Sequence, residues 1–137
     1  MAPDARRGTG HNAVVEMLTL APGDAPSAAR SAVAGCCAAA ATGPECADAV
    51  VLMTSELVTN ALRHGTGSVR LACDAGQVSV RVEVGDDDRQ WPRVRYVDDE
   101  SENGRGMVIV DALASAWGVA DAPHGGKIVW FEVPARP

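Results

Sequence analysis

The longest regular pattern of apolar residues along the chain lies between residues 48 and 65. Four residues there follow the three- and four-residue spacing of one buried helix face, namely Val50, Met53, Leu57 and Ala61. Pro44 suits the first turn of such a helix, and Gly65 suits its end. The pattern therefore predicts a helix over residues 44–64 with one face in a core.

Two polar side chains lie on the margin of that face. At about 100° per residue, Glu56 and Asn60 fall side by side, and His64 follows one turn later. A carboxylate and an amide are costly to bury without partners. One interpretation is ordinary hydrogen bonding at a helix surface, and the other is a polar site at the edge of the core.

The preceding segment predicts a strand and then a helix. Residues 14–20 alternate as a strand does, and an Ala-rich helix over residues 24–41 follows. Asp24 is the predicted N-cap of this helix, and Gly43 is its predicted C-terminal stop.

The second half of the chain predicts four strands and one more helix. Residues 68–73 and 78–84 form a predicted hairpin, and the charged residues 85–106 form a long loop. Gly104-Arg105-Gly106 is predicted to open a helix over residues 107–116. The last two strands are predicted over residues 117–120 and 127–133.

This order of elements predicts an α+β two-layer sandwich, with helices on one face of a mixed or antiparallel sheet. The length of 137 residues favours a single domain, over residues 13–137, after a flexible N-terminus over residues 1–12.

Composition narrows the class of protein. The net charge of −6 argues against direct binding of nucleic acid, because no basic patch is available for phosphates. The apolar segments are too short to span a membrane, and no signal segment opens the chain, so a cytoplasmic location is expected. The cysteines form no C-x-x-C pair, which favours reduced core residues over a zinc site or disulfides: Cys36, Cys37, Cys46 and Cys73.

Three features carry candidate chemistry, each weak by itself. Gly104 and Gly106 beside a helix start suit an anion, since backbone N–H groups can approach it there. Asp86 at a strand end can accept hydrogen bonds from a base such as adenine. Asn60 offers a neutral oxygen to Mg²⁺, and Glu56 can act as a general base.

Taken together, these segments resemble the GHKL ATPases, the superfamily of gyrases, heat-shock chaperones and histidine kinases. Residues 56–64 resemble the N box, residues 82–86 the strand and Asp of the G1 box, and residues 104–110 the G2 box. Residues 125–131 resemble the closing strand. Within the superfamily, the short form without a phospho-acceptor domain is most similar to the anti-sigma factor serine/threonine kinases and their small actinobacterial relatives. The fold so implied is the Bergerat-type ATP-binding fold.

The resemblance implies a role for each matching residue. Asn60 would coordinate Mg²⁺ on the triphosphate of ATP, Glu56 would be the general base, and Asp86 would accept from the adenine amino group. His64 would lie near the phosphate end. The phosphate-binding helix start and lid would comprise Gly104, Arg105, Gly106 and Met107. The implied partners are a sigma factor and a STAS-domain anti-anti-sigma protein, and relatives of this type often form homodimers.

The chain also departs from the family pattern. Asp86 is followed by Asp87 and Asp88, where the G1 box usually continues with glycines, and Ile128 stands where many closing strands carry Thr. We therefore expect a bulkier and more acidic floor of the adenine pocket and a modest affinity for nucleotide. Two functions stay open: a regulatory kinase, and a module that binds a partner and transfers no phosphate. A detached sensor-kinase domain is a weaker third alternative, because the chain has no phospho-acceptor or dimerisation helix.

Overall fold

The computed structural model describes residues 12–64, 68–87, 102–123 and 125–137, with the backbone alone for residues 64 and 102–106. The predictions for residues 1–11 and 88–101, which include Asp88 and most of the long loop, lie outside the described residues.

The described residues form five strands and three helices. The strands are β1 (Ala13–Leu20), β2 (Val69–Ala75), β3 (Ser79–Asp86), β4 (Ala116–Asp121) and β5 (Lys127–Pro134). The helices are α1 (Ala25–Ala39), α2 (Pro44–His64) and α3 (Glu102–Leu113). The bounds of α2 confirm the prediction for residues 44–64.

All described strand pairs are antiparallel, and the strand order is β1-β2-β3-β5-β4. The predicted α+β sandwich is therefore confirmed, and of the two sheet types expected the antiparallel one is observed. None of the helices in the described ranges combines the length and apolar character needed to cross a bilayer.

The core lies between one face of the sheet and the helices. Side chains along β2, β3 and β5 alternate between buried and partly exposed, as expected when only one face of a sheet is covered. The α2 residues Val50, Met53, Leu57 and Ala61 are each at most 3% exposed, as their spacing predicts. The largest fully buried side chains are Phe131, Met53, Leu71 and Met107.

Strand β1 departs from simple alternation. Val15 pairs with Cys73 and Leu18 with Leu71, so β1 contains one more residue than its partner over this stretch. Such a bulge shifts the following side chains to the other face. Leu18 thereby lies on the same face as its buried partner Leu71. Met17 and Leu18 are both exposed in this strand, which forms one edge of the sheet.

Helix α1 ends differently from the prediction. Ala41, with φ of 55°, takes the left-handed position that the sequence predicts for Gly43. Ala41 N–H donates to Ala38 O and Thr42 N–H to Cys37 O, which is the pair of bonds that closes a Schellman motif. Gly43 instead donates to Ala135 O, and the Arg136 guanidinium donates to Ala41 O at 2.7 Å. The residues that follow β5 thus fix the connection between α1 and α2.

Helix α3 also begins earlier than predicted. It starts at Glu102, so Gly104 and Arg105 lie in its first turn rather than before it, and Gly106 lies just beyond that turn. It ends at Leu113, and Ala116 already belongs to β4. Ser115 N–H donates to Glu132 O at 2.8 Å, a contact across to β5 that stops the helix where the predicted pattern continued.

All four cysteines are buried free thiols, which confirms their assignment to the core. The Cys36 thiol donates to Ala13 O at 3.1 Å and so joins α1 to β1. Burial raises the pKa of the Cys37 thiol to about 11. That thiol therefore stays protonated at neutral pH, as a packing residue should.

Candidate functional site

The end of the sheet near Asp86 carries a buried ion pair. Asp86 is the last residue of β3 and Lys127 the first of β5, and the two are direct cross-strand partners. Lys127 Nζ donates to Asp86 Oδ1 at 2.9 Å, and the side chains are only 7% and 4% exposed. Because Val84 and Val129 on the same face are also buried, the pair points toward the helices rather than toward the open face.

The connection before β5 fits closely against this pair. Gly125 and Gly126 have φ of 99° and 78°, values that favour glycine. A Cβ on Gly126 would lie 2.0 Å from Asp86 O and 2.8 Å from Asp87 Cα. The two glycines therefore let the connection pass directly over the backbone at the end of β3.

Helix α2 brings its polar margin to the same end of the sheet. It ends at His64, and β2 begins only five residues later, at Val69. The neighbour of Val69, Arg70, pairs with Gly85, which directly precedes Asp86. The last turns of α2 therefore approach the end of β3.

Glu56 and Asn60 occupy these last turns. Both are half-buried, next to the buried Leu57 and Ala61, so they lie at the margin of the core as their spacing predicts. Thr59, between them, donates its hydroxyl to Ser55 O at 2.8 Å, the usual back-bond of a helical threonine. The polar margin is thus partly open to solvent while the helix itself is held by its apolar face.

Helix α3 packs beside α2 and supplies a core residue. The Met107 side chain is fully buried, which gives it a packing role. The nucleotide contacts expected of Gly104, Gly106 and Met107 stay predictions. The side chains of Arg105 and His64 lie outside the described residues, so their expected contacts also stay predictions.

Two departures from the family pattern do not have the effect expected of them. Asp87 is 44% exposed and pairs with Arg70 at 3.6 Å, and the Arg70 guanidinium lies next to Gly85 on the open face of the sheet. Ile128 is the partner of Gly85 and lies against it on that same face. The expectation that Asp87 and Ile128 change the pocket beside Asp86 is therefore wrong, because both point to the opposite face of the sheet.

A metal ion here would depend on a phosphate ligand. In the parts of the chain that the structure describes, no group of three or more His, Cys, Asp or Glu could hold a metal. The half-buried Asn60 amide, with Glu56 one turn away, nevertheless fits Mg²⁺, which takes few protein ligands and draws the rest from water and substrate phosphates.

Comparison with protein families agrees with this geometry. A family model described as a histidine kinase-like ATPase domain matches residues 18–132, most of the chain. The chain belongs to the histidine kinase-like ATPase family. This confirms the resemblance to the GHKL superfamily. Comparison with curated proteins finds no match.

Family membership supports an ATP-binding regulatory function. Histidine kinase-like ATPase domains bind ATP, usually with Mg²⁺. The match covers α2, the β3 end with Asp86, α3 and most of β5, so it includes every segment that carries a candidate residue.

Sequence reasoning assigned no role to Lys127, although the signal was present. Lys127 is the only lysine in the chain, and it stands in alternation with Val129, Phe131 and Val133. That alternation puts it on the apolar face of β5, where an ammonium group needs a partner. The identity of the partner required the strand register, which the sequence does not give.

Proposed function

We propose that this histidine kinase-like ATPase is an ATP-dependent protein serine/threonine kinase of the anti-sigma factor type. It would bind a sigma factor in the cytoplasm and phosphorylate a Ser or Thr of a STAS-domain partner. The observation that carries the proposal is the pair Glu56 and Asn60, half-buried on α2 at the same end of the sheet as Asp86. Family membership supports the ATP part of the proposal.

Three residues would contact the reacting groups, the metal ion and the base. Glu56 would take the proton from the attacking hydroxyl of the partner, a role that is compatible with the partial exposure of this residue. Asn60 would hold Mg²⁺, which supplies neutralisation of the phosphate charge when bound. Asp86 would accept a hydrogen bond from the adenine amino group.

The remaining residues would position the phosphates. The first turn of a helix offers backbone N–H groups that have no partner within the helix, together with the positive end of the helix dipole, and both favour an anion at the start of α3. Gly104 and Arg105 lie in that turn, and Gly106 and Met107 follow it. His64, at the end of α2, would lie near the phosphates as well.

The direct test is transfer of radiolabelled phosphate from ATP to a candidate STAS-domain partner. We expect transfer by the natural protein and its loss, by about a hundredfold or more, in Glu56→Gln. Glu45→Gln is the matched control, since Glu45 is an exposed glutamate in the first turn of the same helix and should leave transfer unchanged. Transfer that is absent at all Mg²⁺ concentrations, or that persists in Glu56→Gln, would contradict the kinase proposal.

One observation favours a second candidate, a module that binds a partner without transferring phosphate. The Asp86 carboxylate, which would receive the adenine amino group, already accepts a hydrogen bond from the buried Lys127. If this pair excludes the base, partner binding would not depend on nucleotide. Equal affinity for the sigma factor with and without ATP, together with absent transfer, would favour the module.

A further inference from the structure

The Asp86–Lys127 pair is an unusual way to join two strands. Lysine is rarely buried, and here the only lysine of the chain is buried with an ion-pair partner at 2.9 Å. Taking two charges out of water is costly, and well-packed apolar residues often hold strands together equally well. Strand pairing alone therefore does not account for this pair, and its position at the proposed base site offers another role.

The pair presents a donor and an acceptor side by side on one face of the sheet. The ammonium carries three N–H donors, and the carboxylate has about four acceptor sites, so the bond between them uses only one position on each group. Adenine presents the complementary arrangement, an exocyclic amino donor next to a ring-nitrogen acceptor. Asp86 and Lys127 together thus match an adenine edge that Asp86 alone would match only in part.

We propose that Lys127 is a base-recognition residue, which donates to a ring nitrogen of adenine while Asp86 accepts from the amino group of the same base. The inference rests on the proposed ATP site. It makes Lys127 a specificity-determining residue rather than a catalytic one, because it touches the base and not the reacting phosphate.

Charge is a second reason why the pairing suits a nucleotide. The chain carries a net charge of −6, and an isolated carboxylate at the base site would add to the field that opposes a triphosphate. Lys127 cancels the charge of Asp86 while leaving its acceptor function. The more distant Asp87 is paired with Arg70 on the other face.

The proposal differs measurably from two alternatives. If Lys127 only fastens β3 to β5, its loss changes stability but not the recognition of individual base atoms. If Lys127 blocks the base by occupying Asp86, its replacement strengthens ATP binding. If Lys127 donates a hydrogen bond to a ring nitrogen, removing that nitrogen from the ligand weakens binding only in proteins that keep Lys127.

The test titrates the full chain with ATP, 1-deaza-ATP and 7-deaza-ATP, in which C–H replaces one ring nitrogen at a time. We expect one of the two analogues to bind about tenfold or more weakly than ATP, the effect of losing a hydrogen bond to a charged donor. Lys127→Met should bind ATP as weakly as that analogue and no longer distinguish the two. Lys127→Gln keeps a donor and should recover part of the discrimination.

Controls separate this inference from the proposed function. Arg81→Met removes a cation from the opposite face, where Arg81 pairs with Glu132, and should leave all three affinities unchanged. ATP binding with no weaker analogue, a preference that persists in Lys127→Met, or tighter ATP binding by that variant would overturn the role of Lys127 alone. Absence of ATP binding would overturn both. The comparison of analogues on the natural protein needs no variant to fold.

Discussion

Two ion pairs join the same two strands, β3 and β5, from opposite faces of the sheet. Asp86–Lys127 lies on the helix side and Arg81–Glu132 on the open side, and both are direct cross-strand partners. Their N–O distances are nearly equal, 2.9 and 2.8 Å. The first pair is only 4% and 7% exposed, whereas the second is 26% and 32% exposed. The two ion pairs therefore have similar N–O distances but differ in their exposure to solvent.

This difference determines what each pair can do. On the open face, Arg81 also pairs with Glu83 and stacks over the Trp130 ring at 4.2 Å, so several weak contacts share one cation in contact with water. On the helix side, two desolvated charges depend on each other. We therefore expect substitutions in the exposed network to have small effects. In the buried pair, by contrast, the donor and the acceptor have fixed positions relative to each other.

The largest expected effect comes from breaking the buried pair. Lys127→Met leaves Asp86 buried without its ammonium partner, so the free energy of unfolding should fall by about 3–5 kcal/mol. Urea unfolding at neutral pH measures this. A loss below 1 kcal/mol would show that the two faces are energetically alike.

The next effect concerns the glycine beside the buried pair. Gly126→Ala places a Cβ against Asp86 O in a left-handed conformation, and we expect a loss of about 2–3 kcal/mol in unfolding free energy. Gly118→Ala is the matched variant on the open face, where the Cβ would meet the Trp130 ring at 2.8 Å. Because a side chain can shift and the backbone at Asp86 cannot easily do so, Gly118→Ala should cost about 1 kcal/mol. The reverse order of the two losses would contradict this account of the connection.

Replacing both members of the buried pair should nearly cancel the loss. In Asp86→Leu with Lys127→Met, neither charge of the pair is left buried, and the unfolding free energy should return to within about 1–2 kcal/mol of the natural protein. Nucleotide binding should be weaker still than in Lys127→Met, because the Asp86 acceptor is also gone, so stability and recognition change in opposite directions. A double variant as unstable as Lys127→Met would show that the pair is needed for packing.

The smallest effect is expected on the open face. Arg81→Met should lower the unfolding free energy by about 0.2–1 kcal/mol, and the difference should shrink between 0.1 and 1 M NaCl because exposed pairs are screened. The loss in Lys127→Met should change little over the same range. Equal salt dependence of the two variants, measured by urea unfolding, would remove the distinction between the faces.

The sequence predicted those features that depend on long local patterns. Helix α2 was predicted with its observed bounds, because its buried stripe repeats over several turns between a proline and a glycine. Helix α3 was predicted to start too late, since Gly104 and Gly106 were interpreted as a break although a helix can include them. The end of α1 was misplaced for the opposite reason, because Ala41 adopts the conformation expected of a glycine.

The features of the site that depend on register could not be predicted. Asp86 was identified from its place after an apolar strand, but its partner Lys127 is 41 residues away and becomes a neighbour only through antiparallel pairing. The same pairing turns Ile128 and Asp87 away from the site. Single-residue alternation indicates which face a side chain occupies, and only the assembled sheet shows what it meets there.

The measurement that tests the central claim most directly is calorimetric titration of the protein with ATP, with and without Mg²⁺, repeated on Asn60→Ala. We predict micromolar binding that needs Mg²⁺ and that falls at least about tenfold in Asn60→Ala, whose half-buried amide would be a ligand of the ion. Asn12→Ala is a control, since the Asn12 amide bonds Asp74 on strand β2 and has no place in the proposed site. Absence of heat at millimolar ATP, or equal binding by Asn60→Ala, would contradict the proposed nucleotide site.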